Sequence, residues 1–372
     1  MKSNLMGQSR LVPSLSLVLI LLTTLFVGCG GYSSGKTVTP PPPSTRVAYV
    51  ANVADDTISI YSIDAANGNL TLTANIPSGG LSPASVALHP AGRFAYVANA
   101  GSNDVTIFAI NASTGALTMI GSPVPAGTHP RSLTVDPSGK FLYVANQATG
   151  KVSAFTVDAT TGALTPAGTF TAGTGPFSVT VDPSGKFAYV VNSGSNDLSA
   201  FSINQQTGAL TAISDAIPTG TTPSSVTIDP VGHFAFVANA NSDDVTTYQI
   251  DPTTGALRAV GQPTPTGHTP LSVKVEPSGH FAYIANLDSD SISVFQIDPA
   301  SGALREVAGS PVAGGSGPSS ITTDPAGTFA YVTNFSSSNV SVFAIGANGS
   351  LTSSGSLAPT GSGAISIVTT GK

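Results

Sequence analysis

Tryptophan is absent from this sequence, and cysteine occurs once. One cysteine excludes an intrachain disulfide and any metal site built on thiolates. Charge is scarce too: 9% of residues are Asp, Glu, Lys or Arg, and only 13 of them are basic. Beyond residue 28, 11 basic groups stand against 19 acidic ones. That balance excludes a nucleic-acid partner, because phosphate neutralisation needs clustered Lys and Arg. No segment keeps a helical hydrophobic period. No G-x-S-x-G, metal-spaced histidine pair or phosphate loop occurs, so no metal or cofactor is expected. Low charge does not mean disorder here, since 41% of the chain is hydrophobic. With Gly at 40 and Pro at 28, and Thr, Ser, Val and Ala abundant, the composition is that of short strands joined by tight turns.

The single long apolar run is "LVPSLSLVLILLTTLFV", Leu11–Val27, preceded by Lys2 and Arg10. A basic start and an apolar run of this length form an export signal. The run ends in "LFVGCG", placing Cys29 directly after Gly28 at the expected cleavage point. This stretch resembles a bacterial lipobox, which implies that Cys29 is the lipidated first residue of the mature chain. The plainer alternatives are a secretory signal or a signal anchor with an incidental cysteine. Residues 1–28 are therefore assigned as a lipoprotein signal peptide and 29–45, "CGGYSSGKTVTPPPPST", as a Gly/Ser/Pro-rich tether. The expected location is the cell envelope, with a lipid anchor in the membrane.

From Arg46 onward one hexamer recurs: "VAYVAN", "FAYVAN", "FLYVAN", "FAYVVN", "FAFVAN", "FAYIAN" and "FAYVTN". Its closing residues are Asn52, Asn99, Asn146, Asn192, Asn239, Asn286 and Asn334, spaced by 46 to 48 positions. A fixed period of this length, with four strand-like segments per unit, specifies a propeller blade. In one unit "RSLTV" is the inner strand, "DPSG" a type I turn, "KFLYVAN" the second strand, "KVSAFTV" the third and "LTPAG" a short outer one. Small residues fill the first strand and aromatic ones the second and third, as a wedge that narrows toward an axis requires. The closing Asn is expected to bond the backbone of its own loop. Residues 46–372 are thus all-β: a seven-bladed β-propeller of four-stranded antiparallel blades. The chain body opens on a second strand, and "GAISIV" (Gly363–Val368) supplies the missing inner strand, so the C-terminal strand joins the N-terminal blade and closes the ring.

"FAYVTN" contains the "YVTN" of YVTN propeller repeats, found in surface-layer and exported proteins. The "D-x-x-T-G-A-L" hairpins and "D-P-S-G-K-F" turns resemble the seven-bladed lactonase family, whose members include 6-phosphogluconolactonases. The resemblance spans 46–372 and implies the propeller fold and lactone ring opening. It also implies His, Arg and acidic side chains around the channel mouth, with a "P-H" pair opening an inner strand. Here the residues after that proline are Ala84, Arg131, Phe177, Ser224, Leu271 and Ser319.

Residues that break the repeat are the informative ones, since the fold does not demand them. Lys274 stands where other inner strands carry Thr134, Thr180, Thr227 and Thr322. Arg131 opens an inner strand three blades away, and His129 and His268 precede those same two strands. These four are the candidate ligand-binding group at the channel mouth, suited to an anion; as a plain alternative they are solvated surface side chains. Asp56, Asp104, Asp197, Asp243, Asp244, Asp288 and Asp290 gather in loops at the same face, either as a calcium or sugar surface or as loop caps. His89, His233 and His280 are expected at the surface, and the "D-P-x-G" acids are expected to form turns at the opposite end. Two functions fit: a monomeric binding scaffold at the envelope, with an envelope protein, a glycan or a small anionic ligand as partner, or a lactonase-like hydrolase. Cys29→Ser tests the anchor: the variant should incorporate no palmitate on metabolic labelling, and label equal to the parent's would refute lipidation.

Overall fold

A computed structural model of the chain describes residues 46–370. The signal, the lipidation at Cys29 and the tether fall outside the described residues. What is described is seven antiparallel sheets, each of four or five strands, with every core strand hydrogen-bonded in hairpin order. Blade 3 shows the unit: inner strand Pro130–Val135, second strand Phe141–Asn146, third strand Lys151–Val157 and outer strand Leu164–Thr171. Blade 1 is assembled from both ends of the chain. Val47–Asn52, Thr57–Ile63 and Leu70–Pro77 take Ala364–Thr369 as their inner strand, with Tyr49 opposite Val368 and Val50 opposite Ile367. Each inner strand packs against the inner strands of both neighbours, so these strands wall a central channel.

The recurring hexamer is buried along its whole length, as in Phe94–Asn99 and Phe141–Asn146. Its Tyr reaches out of its own blade. Tyr49, Tyr96, Tyr143, Tyr189 and Tyr283 each donate a hydroxyl hydrogen bond to a hairpin glycine carbonyl of the next blade, Gly115, Gly162, Gly208, Gly255 and Gly349, at 2.7–3.1 Å. The Phe of the hexamer packs on that same glycine. A Cβ on Gly162 would stand 2.6 Å from the Phe94 ring, and its φ of +73° disfavours other residues as well. The Phe-x-Tyr of one blade and the T-G hairpin of the next are therefore two halves of one contact. Burial pushes these phenols well above their ordinary pKa, so they stay protonated donors.

The closing asparagines differ from expectation. Their side chains turn mainly to the neighbouring strand rather than to their own loop backbone: Asn99 Nδ2 donates to Asp104 Oδ1 at 2.7 Å and to Thr106 Oγ1 at 2.8 Å. Asn192 and Asn334 do the same toward Asp197 with Ser199 and toward Asn339 with Ser341. The reason is burial: the Asn is fully enclosed at the strand end, and side-chain oxygens five and seven residues on are the acceptors within reach. His89 also differs. It is buried, with Nε2 3.1 Å from the Gly139 carbonyl of the next blade. The "D-P-x-G" acids do build turns: Asp136 Oδ1 accepts from Phe141 N at 2.7 Å and Oδ2 from Ser138 N at 3.1 Å.

Closure makes the two chain ends unequal. Removal of residues 361–372 leaves Val47–Asn52 with an open edge and uncovers one side of the inner strand of blade 7, and is expected to cause aggregation or a large fall in Tm. Removal of 30–45 should leave Tm nearly unchanged. A C-terminal truncation that melts like the full chain would refute closure by strand pairing.

Candidate functional site

Each inner strand opens with a residue pair whose geometry positions the site. In blade 3, Pro130 pairs with Asn146 and Ser132 with Ala145, so Arg131 is the extra residue of a β-bulge. The same register shift falls at Ala84, Phe177, Ser224, Leu271 and Ser319. A bulge frees its residue from the ladder and re-aims the side chain. The residue type there is free to vary, and the bulge residues together line a cavity of about 140 Å³ at the channel end where the inner strands begin.

The position after the bulge is a serine in every blade. Ser85, Ser132, Ser178, Ser225, Ser272 and Ser366 each accept the backbone N–H of the next inner strand at 3.2–3.4 Å. With its oxygen accepting from the wall, each hydroxyl keeps its own proton for the channel. Arg131 adds a fixed charge. It is half-buried, its guanidinium lies 4.6 Å from the centroid of the Phe177 ring, and it has no carboxylate partner among the described residues. Burial pulls its pKa below the usual arginine value, yet guanidinium stays charged in proteins. The cavity thus presents donors and one cation, with neither an acid nor an imidazole in its lining. Such a surface holds an anion or stabilises a developing one.

The four candidate residues are not brought to one point. Arg131 is in this cavity. Lys274, three positions along its own strand from the bulge, lines a different cavity nearer the other end of the channel. His129 is exposed in the loop before Arg131 with φ of 59°, its N–H donating to Asn103 Oδ1 of the preceding blade at 2.7 Å. His268 is exposed at the same face, but its Nδ1 lies 2.8 Å from Asp243 Oδ2. Asp243 Oδ1 accepts the N–H of Thr269 at 2.8 Å. These bonds, the Thr269 N–H first and the His268 side chain second, hold the Asp243 carboxyl below its ordinary pKa.

The remaining loop acids act as ties. Asp56 accepts from Ser82 N at 2.6 Å and Asp290 from Gly317 N at 2.8 Å, as Asn103 and Asn196 do for His129 and Thr222. Asp104, Asp197 and Asp244 accept from the closing Asn. Among the described residues no cluster of His, Cys and acids has metal-holding geometry. Sequence reasoning missed the bulge and the His268–Asp243 pair. The first had a signal in the Pro-x-Ser of six inner strands, with a variable middle residue; the second joins positions 25 apart on adjacent blades and had none.

The comparisons agree with this architecture. A candidate 6-phosphogluconolactonase from Bacteroides fragilis superposes with a TM-score of 0.77 at 20% identity, covering 89% of this chain and 100% of its own. The periplasmic gluconolactonase of Pseudomonas aeruginosa gives 0.74 at 22%, covering 88% and 99%. The hydrazine synthase of Kuenenia stuttgartiensis gives 0.62 at 21%, covering 84% and 99%, so the fold alone does not specify a reaction. No curated protein matches the chain. The family model for the lactonase, 7-bladed beta-propeller, matches residues 42–128, 82–181, 166–275 and 262–367 in succession, and the chain belongs to that family.

Proposed function

We propose that the protein is a hydrolase of sugar lactones, acting at the face where the inner strands begin. The observation that carries this reading is the His268–Asp243 pair. With Asp243 accepting from Nδ1–H, Nε2 of the neutral imidazole is left as a proton acceptor facing solvent. In the proposed step Nε2 takes a proton from water as the water oxygen bonds to the lactone carbonyl carbon. The ring C–O bond then breaks, and the alkoxide regains the proton, giving a hydroxy acid. Arg131 and the serine hydroxyls line a cavity on the same face that does not include His268, and they are assigned the polar groups of the substrate rather than the carbonyl under attack. The export signal read in residues 1–28 favours an unphosphorylated aldonolactone over a cytoplasmic sugar phosphate. A second reading has one observation in its favour. The cavity lining holds a cation and hydroxyls but no base, which suits an envelope-anchored scaffold that binds an anion without turning it over.

The test is hydrolysis of gluconolactone and its 6-phosphate by the full chain, beside three variants. The parent should exceed spontaneous hydrolysis, with gluconolactone preferred. His268→Ala should lose about 10²–10⁴ in rate, and Arg131→Ala about tenfold or more in kcat/KM. Asp243→Asn should lose activity with its fold intact, because Asn caps the same position at Asn103 and Asn196. A parent that binds gluconate without turnover would establish the scaffold reading; turnover unchanged in His268→Ala would remove the proposed base.

Asp243 also carries a stability prediction. A carboxyl with a depressed folded pKa stabilises above its unfolded value, about 3.9, and loses that contribution as pH falls through the folded one. Asp243→Ala should therefore lower stability at pH 7 by about 0.5–1 kcal/mol, since its side chain is 37% exposed. The difference from the parent should shrink toward pH 2 in melting curves, and Asp243→Asn, which keeps the cap but not the charge, should fall between Asp243→Ala and the parent at pH 7. A deficit of equal size at both pH values would show that the carboxylate charge plays no part.

A further inference from the structure

The opposite end of the channel is not used by the proposed hydrolysis, and its chemistry is unusual for a propeller wall. Two residues past the serine ring, the inner strands present Ala87, Thr134, Thr180, Thr227, Lys274, Thr322 and Val368 at one register position. Thr134, Lys274 and Thr322 line a cavity of about 420 Å³ there. Lys274 is half-buried and has no acid within ion-pair distance among the described residues. The one acid in the lining, Asp324, is held by Arg46 rather than by Lys274: Oδ1 accepts from Thr328 N and Phe329 N at 2.6 and 2.8 Å, and Oδ2, without a hydrogen-bond partner among the described residues, lies 3.8 Å from Arg46 Nη1. Burial lowers the Lys274 pKa, the direction expected where no anion offsets desolvation.

A lysine placed this way is costly to the fold. Threonine satisfies the same position in four other blades at no electrostatic cost. Its ammonium has three donors and no acceptor among the described residues, and neighbouring threonine hydroxyls add donors of their own. We propose that this end of the channel is a second anion site, in which Lys274, Thr134 and Thr322 hold a small free oxoanion of phosphate size. The site is separate from Arg131 and stands whether or not the protein hydrolyses lactones.

Titration of the full chain with inorganic phosphate at constant ionic strength, against chloride as the comparison anion, tests this. Calorimetry should show saturable phosphate binding that weakens tenfold or more in Lys274→Met, is retained in Lys274→Arg and persists in Arg131→Met. Backbone amide shifts on titration should centre on Thr134, Val275 and Thr322. Absence of phosphate binding by the parent, parent-like affinity in Lys274→Met, or shifts centred on Arg131 and Phe177 would each overturn the proposal. Retention in Lys274→Arg separates loss of the charge from loss of the fold.

Discussion

The grip of one blade on the next is the constraint from which the rest follows. A propeller blade is a twisted sheet whose two faces both need cover, and only its neighbours can supply it. Here the cover is localised. A buried Tyr hydroxyl finds its acceptor on a glycine of the following blade, and a Phe ring lies on that glycine's Cα. Each such hydrogen bond contributes about 1 kcal/mol net, and the enclosed aromatic rings contribute more. Because the contact joins residues some 65 positions apart, a substitution on either side is felt in another blade. That is the physical reason for the near-verbatim repetition of the hexamer and the hairpin.

The same grip determines where the sequence is free. Second strands, hairpin glycines and "D-P-x-G" turns are fully occupied with blade-to-blade and turn contacts. The bulge residues are less constrained: they leave the ladder near the start of each inner strand, although Ser224 and Ser319 there donate to the Pro270 and Ala364 carbonyls of the next blade. Arg131 and Phe177 stand at bulges and meet each other, with Phe177 also packed against the core shared by blades 4 and 5. Chemistry in this molecule has its freest choice at that position, which is why the cavity at that end is so much less regular than its wall.

This division also explains how much could be read from the sequence. Fold, blade count and closure were legible because they are written seven times, and Ala364–Thr369 completes blade 1 within a residue of the expected bounds. The loop acids were legible only as alternatives. Asp56 and Asp290 turned out to bond the backbone of the adjoining blade, a partner that period alone does not identify. The proposed convergence of four residues was harder. Arg131 and Lys274 differ by three places along an inner strand, and alternate strand positions face different surroundings, so neighbouring strands did not bring them to one cavity. The burial of His89 was hidden because the other blades carry Asp or Glu at its turn position, and its partner, the Gly139 carbonyl, belongs to the next blade.

The seam between blades 7 and 1 keeps one half of the grip, since Phe329 packs on Gly68, and lacks the other, the tyrosine hydrogen bond. Blade 1 has "DAANGN" in place of the T-G hairpin, and Tyr331 is buried with no hydrogen-bond partner for its hydroxyl among the described residues. Other contacts gather there instead. Tyr61 donates to the Pro359 carbonyl at 2.7 Å, Ser319 to the Ala364 carbonyl at 2.7 Å and Thr369 to the Thr323 carbonyl at 2.9 Å, while Arg46 lies 3.8 Å from Asp324. The last three fasten blade 7 to residues at the chain's two ends. The closing strand therefore does two jobs: it completes the sheet of blade 1, and it adds contacts to blade 7 at a junction that lacks the tyrosine hydrogen bond, as the junction of blades 5 and 6, with Phe236, also does.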